Sequence, residues 1–194
     1  MTAGSAPDRV EAAFEAVRRD DFLRPEERGF AGQDRAIQIG YQQTNSQPTT
    51  VRAMLRLLDV QPGHKVLDVG CGSGWTTALL GSMVGPAGSV HGVEIVPELV
   101  EWGQQNLAAY PMAWTSITQA TPNVLGIPDR APFDRILVSA EAASLPGELV
   151  DQLRVGGVMV IPVAGRMTVV RRTDGEPTVE RHGHYAFVPL VEPD

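Results

Sequence analysis

Val66-Leu67-Asp68-Val69-Gly70-Cys71-Gly72-Ser73-Gly74 sets an apolar run, a carboxylate near its end and three alternating glycines in one line. Glycines permit a tight turn and let a ligand lie against bare backbone at the carboxyl edge of a parallel sheet. Twenty residues past Gly74 stands Glu94, followed by Ile95. A carboxylate there can accept both hydroxyls of an adenosine ribose. The spacing is G-x-G-x-G, not the G-x-G-x-x-G of dinucleotide folds, in which a helix N-terminus holds a pyrophosphate. Asp68 would repel a pyrophosphate, whereas the amino-acid end of S-adenosylmethionine carries an ammonium and a sulfonium. The pattern favours S-adenosylmethionine over a nicotinamide dinucleotide. Gly70, Cys71, Gly72, Ser73 and Gly74 would cradle its methionine end, Asp68 would meet the ammonium, and Glu94 with Ile95 would meet the nucleoside. A nicotinamide oxidoreductase and a turn that binds nothing stay open on these residues alone.

Such residues need elements to hold them. Residues 65–69 read as a strand that stops at the glycines, residues 74–84 as a helix, and residues 89–95 as a second strand. Pro97 suits the first turn of a helix running to Leu107. A weaker strand lies at 115–118. Residues 133–140 and 158–163 are contiguous apolar strands around a helix at 146–153. Apolar strands separated by helices imply a parallel sheet covered on both faces. Residues 167–172 and 179–188, joined through Asp174-Gly175, read as an antiparallel hairpin.

Ahead of this core, Val10, Phe14 and Val17 predict a helix over 8–20, and Val51, Met54, Leu55 and Leu58 predict another over 49–58. Residues 22–47 lack periodicity, and a loop that long is usually functional or disordered. The expected fold is a doubly wound, mostly parallel α/β sheet of Rossmann-like type, with a C-terminal antiparallel hairpin and an N-terminal helical extension. One domain is expected over 1–194, with residues 1–60 on the substrate side and 61–194 forming the core.

Composition excludes several classes. Acids outnumber bases by 23 to 16, a net charge of −7, which argues against broad binding to nucleic acid or anionic lipid. No apolar run approaches the roughly 20 residues of a membrane span. Residues 1–7 lack the basic and apolar regions of a secretory signal, so a cytoplasmic location is expected. Cys71 is the one cysteine, which excludes an intramolecular disulfide and a Cys-rich zinc site. No metal is expected, and Cys71 reads as a small packing residue. Trp75, Trp102 and Trp114 suit core packing or stacking on adenine.

The chain resembles the protein-L-isoaspartate O-methyltransferases over nearly its whole length. Residues 39–48, Ile-Gly-Tyr-Gln-Gln-Thr-Asn-Ser-Gln-Pro, are similar to that family's signature loop, which ends in T-x-S-x-P. Residues 66–75 match its S-adenosylmethionine loop, residues 131–136 the approach to its fourth strand, residues 152–157 and 160–163 its fifth, and Phe187-Val188-Pro189-Leu190-Val191 its closing strand. The resemblance implies methyl transfer from S-adenosylmethionine to the free α-carboxylate of an L-isoaspartyl residue in a damaged protein or peptide. The ester then closes to a succinimide that can reopen as aspartate. A carboxylate with a reference pKa near 4 is already nucleophilic at neutral pH, so no general base is required and alignment carries the catalysis. By this resemblance Ser46 is the catalytic residue, Thr44 and Asn45 join it in holding cofactor, and Gln47 and Glu141 are candidates for substrate contact. His182 and His184 alternate on the last strand and share one face, which makes His184 a candidate for the substrate rim. Ser46 also suits the N-cap of the helix over 49–58.

Several positions depart from the family pattern. The acid expected after the third strand, which contacts the adenine amine, would fall at Thr121 or Pro122, yet no Asp or Glu occurs from 113 to 128. Asn123 or Gln119 is the available neutral acceptor. Glu141 would place a negative charge beside an anionic acceptor. Val17-Arg18-Arg19 stands for the usual V-P-R, and Asn45 for an apolar residue. These changes keep open a diverged O-methyltransferase for a dedicated peptide or small-molecule carboxylate, or a non-catalytic relative that binds S-adenosylmethionine.

Overall fold

The computed structural model describes residues 8–191. Helix α1 (Arg9–Ala16) starts where Asp8 accepts a hydrogen bond from the Val10 N–H at 3.0 Å. It is shorter than the pattern predicts because Val17 turns extended and the chain re-enters as a 3-10 turn, Arg19–Phe22. The aperiodic stretch is built rather than structureless. It holds a 3-10 helix, Pro25–Phe30, and a hairpin of β1 (Ile37–Gly40) with β2 (Gln43–Asn45). Tyr41 and Gln42 close that hairpin at φ 56° and 59°, both left-handed. No Asn-Gly marks the turn, and strands this short show little alternation, so the sequence hides it.

Helix α2 (Pro48–Leu58) buries Val51, Met54, Leu55 and Leu58, as the periodicity predicts. Its first turn is not capped by Ser46. Asp34 reaches across instead, accepting from the Thr49 N–H at 2.9 Å, the Thr49 hydroxyl at 2.7 Å and the Gln47 amide at 3.0 Å. These bonds hold the Asp34 carboxyl below its usual range. At the other end Asp59 turns left-handed, and buried Arg135 donates Nε to the Leu58 and Asp59 carbonyls at 2.7 and 3.1 Å. A cation at these carbonyls suits the negative end of the helix and ties α2 to the sheet.

The sheet is built from β3 (Lys65–Val69), β4 (Ser89–Glu94), β5 (Thr115–Gln119), β6 (Phe133–Val138), β7 (Leu153–Val163), β8 (Arg166–Arg171) and β9 (Thr178–His184). Helix α3 (Trp75–Val84) follows β3, α4 (Pro97–Ala108) follows β4, and α5 (Gly147–Asp151) precedes β7. The spatial order is β5-β4-β3-β6-β7-β8-β9. Strands β3 to β7 pair in parallel, and β8 and β9 pair antiparallel. The doubly wound sheet with its terminal hairpin is therefore present.

After β3 the next strand pairs on one side and β6 on the other. A crevice must open at the carboxyl end of such a strand. Alternation along β3 sends Val66 into the core shared with α1, α2 and α3, and Leu67 and Val69 into the core beneath α5. Asp68 consequently faces the α3 side.

Backbone geometry makes the glycine loop sensitive to side chains. A Cβ at Gly74 (φ +93°) would lie 2.9 Å from Ile117 Cδ1 and 3.2 Å from the Gly103 carbonyl oxygen, whereas one at Gly72 (φ +55°) would meet only Ile39 Cδ1 at 3.2 Å. Gly74→Ala should lose at least ~1–2 kcal/mol through the left-handed backbone alone, seen as a lower urea midpoint at unchanged slope. Gly72→Ala should lose less. Equal losses would contradict this account of the loop.

Candidate active site

The crevice is real and open. A cleft of about 1190 Å³, including space open to solvent, lies at the carboxyl ends of β3 and β4. Its floor includes Gly70, Cys71, Gly72, Ser73 and Trp75, with Glu94 and Ile95 along one wall. The hairpin supplies Ile39, Gln43, Thr44, Asn45 and Ser46. Of the predicted cofactor residues, all but Asp68 and Gly74 line it; Gly74, at the start of α3, is backed closely by Ile117 and Gly103 instead.

Glu94 organises the floor. It is 5% exposed, and one carboxyl oxygen accepts from the Gly72 N–H at 2.9 Å. The other accepts from the Ile95 and Val96 N–H groups at 2.8 and 3.0 Å. Three backbone donors leave lone pairs free on a group with about four acceptor positions. Glu94 thus fixes the loop and still faces the cleft, where a ribose needs acceptors.

Asp68 is fully buried beneath the loop because the pleat points it at α3. Its Oδ2 accepts from the Thr76 and Thr77 hydroxyls at 2.7 and 2.8 Å, and its Oδ1 has no partner among the described residues. Burial raises its pKa to about 6, against the lowering by the two hydroxyls. The expected direct contact with an ammonium is absent from the cleft wall. An unpartnered buried oxygen under the loop does suit a cation held on that loop. Cys71 is also buried, and burial pushes its thiol well up, as a packing residue requires.

The T-x-S-x-P segment leaves β2 across the mouth of the cleft. No hydrogen bond engages the Ser46 hydroxyl among the described residues, and with Asp34 capping α2 that hydroxyl remains available. Asn45 is 5% exposed and turns its side chain to Arg19, whose Nε donates to Oδ1 at 2.8 Å. Gln47 is not on the wall, since its amide is held by Asp34.

The far wall comes from Thr121, Pro122 and Asn123 after β5 and from 188–191 near the chain end. Where an acid is expected, the wall offers Asn123, left-handed at φ 60°, while Gln119 donates instead to the Ile95 carbonyl at 2.5 Å. Glu141 does not face the cleft. Its Oε1 accepts from the Gly165 N–H at 3.2 Å, and its backbone grips the closing segment through Glu141 N to Val188 O at 2.8 Å and Leu190 N to Glu141 O at 2.7 Å. The carboxylate is thus directed to the turn at Gly165 rather than into the cleft. His184 lies exposed on β9, 3.2 Å from Arg166 Nη1, and lines no part of the cleft. Spacing along a strand carries no information about which end of the sheet it serves, so the placement of His184 could not be read from sequence.

Sequence reasoning missed the role of Arg19, which was noted only as part of a departure. It donates to Ser46 O at 2.9 Å, Asn45 O at 3.2 Å, Arg35 O at 2.8 Å, Gln33 O at 2.9 Å and Ala31 O at 3.3 Å. A charged residue beside apolar Val17 and Phe22 was the available signal.

Asp68 yields a pH prediction. Its folded pKa of about 6 exceeds the unfolded 3.8, so the folded state binds the proton more tightly and stability falls as pH rises through this window. The stability of Asp68→Asn relative to wild type should therefore rise by ~2 kcal/mol from pH 4.5 to 7.5, read by urea unfolding. A pH-independent difference would contradict the assignment.

Comparison with known proteins is consistent along the chain. The family described as protein-L-isoaspartate(D-aspartate) O-methyltransferase matches residues 2–194. A protein-L-isoaspartate O-methyltransferase of Aeropyrum pernix is 43% identical over 188 residues, covering 94% of this chain and 72% of that protein. One from Methanopyrus kandleri is 42% identical over 189 residues, covering 95% and 84%. Among solved structures, a protein-L-isoaspartate O-methyltransferase has the same fold at TM-score 0.85 and 21% identity, covering 95% of this chain and 61% of its own. A Plasmodium falciparum protein of that description, in complex with S-adenosyl-L-homocysteine, superposes at TM-score 0.83 and 24% identity, covering 95% and 90%. The chain belongs to the protein-L-isoaspartate(D-aspartate) O-methyltransferase family.

Proposed function

We propose that this chain is an S-adenosylmethionine-dependent carboxyl O-methyltransferase acting on the free α-carboxylate of L-isoaspartyl residues in proteins or peptides. The observation that carries the reading is the meeting, across one open cleft, of the Glu94-braced glycine loop and the Ser46 segment. Two independent stretches of sequence, one suited to a nucleoside and one to an acceptor, face the same space. Bound S-adenosylmethionine supplies a methyl group on a sulfonium, which a carboxylate oxygen takes with loss of S-adenosylhomocysteine.

The chain's residues have correspondingly modest tasks. Gly70 and Gly72 present bare backbone, both at positive φ, so the ligand's amino-acid end can approach closely. Glu94 offers its remaining lone pairs to ribose hydroxyls. Ile95, 40% exposed, presents an apolar face for a purine, with Asn123 near its edge. Ser46 donates to one carboxylate oxygen and leaves the other free, which fixes the line of attack without adding charge. Among the described residues the cleft wall carries no histidine, and its one thiol, Cys71, is buried and its pKa pushed well up, in keeping with a nucleophile already ionised at neutral pH.

With Glu141 turned to Gly165, the argument for a different acceptor loses its electrostatic motive. Labelled methyl should pass to an isoaspartyl peptide and not to its α-aspartyl twin. Ser46→Ala should lower kcat by roughly 10–100-fold, the size expected when one orienting bond is lost, with S-adenosylhomocysteine affinity nearly unchanged. Equal labelling of both peptides, or wild-type turnover in Ser46→Ala, would overturn the respective part of the reading.

A further inference from the structure

We propose that Arg19 is a positioning residue of the acceptor site: its guanidinium binds the carbonyls of the two peptides that flank Ser46 and places a buried positive charge behind the serine. The proposal rests on the reading that Ser46 receives an anionic acceptor.

Three observations carry it. Arg19 is 7% exposed, yet no carboxylate pairs with it among the described residues. A buried charge is normally matched by an opposite one. Here the acceptors are neutral, five backbone carbonyls and the Asn45 side-chain oxygen. Desolvation and the nearby Arg35 bring its pKa down to about 10, partly countered by Asp34, so it stays cationic at neutral pH. Its charge is thus offset only in part, by Asp34 at longer range than an ion pair.

The second observation is where the donors go. Nη2 reaches the carbonyls of Asn45 and Ser46 together, at 3.2 and 2.9 Å, which sets the orientation of the segment carrying the Ser46 hydroxyl. A lysine, with one compact ammonium, cannot span these acceptors and the 31–35 carbonyls at once.

Third, the guanidinium packs over the Trp75 ring, 5.2 Å from its centroid. Trp75 is the residue after Gly74 and lines the cleft. Arg19 thus bridges the cofactor loop and the acceptor segment. The polar Asn45 at a position where the family is usually apolar has its reason here, since it accepts from the Arg19 Nε.

The test compares Arg19→Lys, Arg19→Met and Asn45→Leu with wild type, using labelled-methyl kinetics on an isoaspartyl peptide and calorimetry with S-adenosylhomocysteine. A purely structural arginine would change unfolding but leave the kinetics of folded protein unaltered. Arg19→Met should lower kcat and raise the peptide KM, each by roughly tenfold or more, with S-adenosylhomocysteine affinity within about threefold. Arg19→Lys should recover most of the KM through its charge but little of the kcat. Should Arg19→Met not fold, Asn45→Leu removes only the Nε acceptor and should still lower kcat. Folded variants with wild-type kcat and KM would overturn the proposal. If wild-type protein does not methylate the isoaspartyl peptide, the functional reading fails instead. The positioning claim is then decided by hydrogen exchange at Asn45–Ser46, which must speed up in the variants while β3 and β4 stay protected, and fails if it does not.

Discussion

A carboxyl group at the end of β4 accepts hydrogen bonds from the Gly72, Ile95 and Val96 N–H groups, and the cleft depends on that convergence. Parallel strands leave their carboxyl ends as separate loops, which nothing in the sheet itself holds together. Glu94 joins two of them. It satisfies backbone donors that would otherwise be orphaned in a buried turn, and it does so with a group that retains acceptor capacity toward the cleft. Behind it, the Gly70 and Cys71 N–H groups both bond the Val93 carbonyl, at 2.9 and 3.1 Å, so the loop is pinned to β4 from two sides. A cradle preorganised this way needs little adjustment to receive a ligand.

The acceptor side is built on another principle. The hairpin and the turns before it have short strands and only a small apolar cluster, in which Leu23, Ile37 and Ile39 pack with Leu99 of α4. They are held by charged side chains reaching into backbone. Asp34 supplies the start of α2, Arg19 gathers the carbonyls of 31–35 and 45–46, and Arg135 closes the end of α2 onto the sheet. Hydrogen bonds from charged groups are stronger than neutral ones, at about 1.5–3 kcal/mol each. They can hold irregular backbone where a hydrophobic layer is too thin to do so. A rigid sheet thus carries one half of the site and a polar lattice the other.

This division explains what the sequence disclosed. The centres of β3, β6 and β7 are short apolar runs and α2 has a clean apolar face, so hydrophobic patterning located these elements, although β7 starts at Leu153, five residues ahead of the apolar run at 158–163. The glycine spacing with Glu94 located the cleft. The hairpin was hidden because Tyr41 and Gln42 adopt left-handed backbone without the residues that usually announce it. Gln47 and Glu141 rest on motif position, Asp68 on its charge ahead of the glycines and His184 on strand alternation, and local geometry places each of them off the cleft wall. The pleat turned Asp68 inward, Asp34 took Gln47, the Gly165 N–H took Glu141, and β9 put His184 at the sheet edge. Contacts between residues 15 to 27 apart, such as Asp34 with Thr49 or Arg19 with Ser46, leave no periodic trace.

The central claim is that the Glu94-braced crevice receives an adenosyl amino acid rather than a dinucleotide. Calorimetric titration of the wild-type chain with S-adenosylhomocysteine and, separately, with NAD tests it most directly. Saturable binding of one S-adenosylhomocysteine per chain, with no heat from NAD, is the expected result; saturable NAD binding with none of S-adenosylhomocysteine would contradict it.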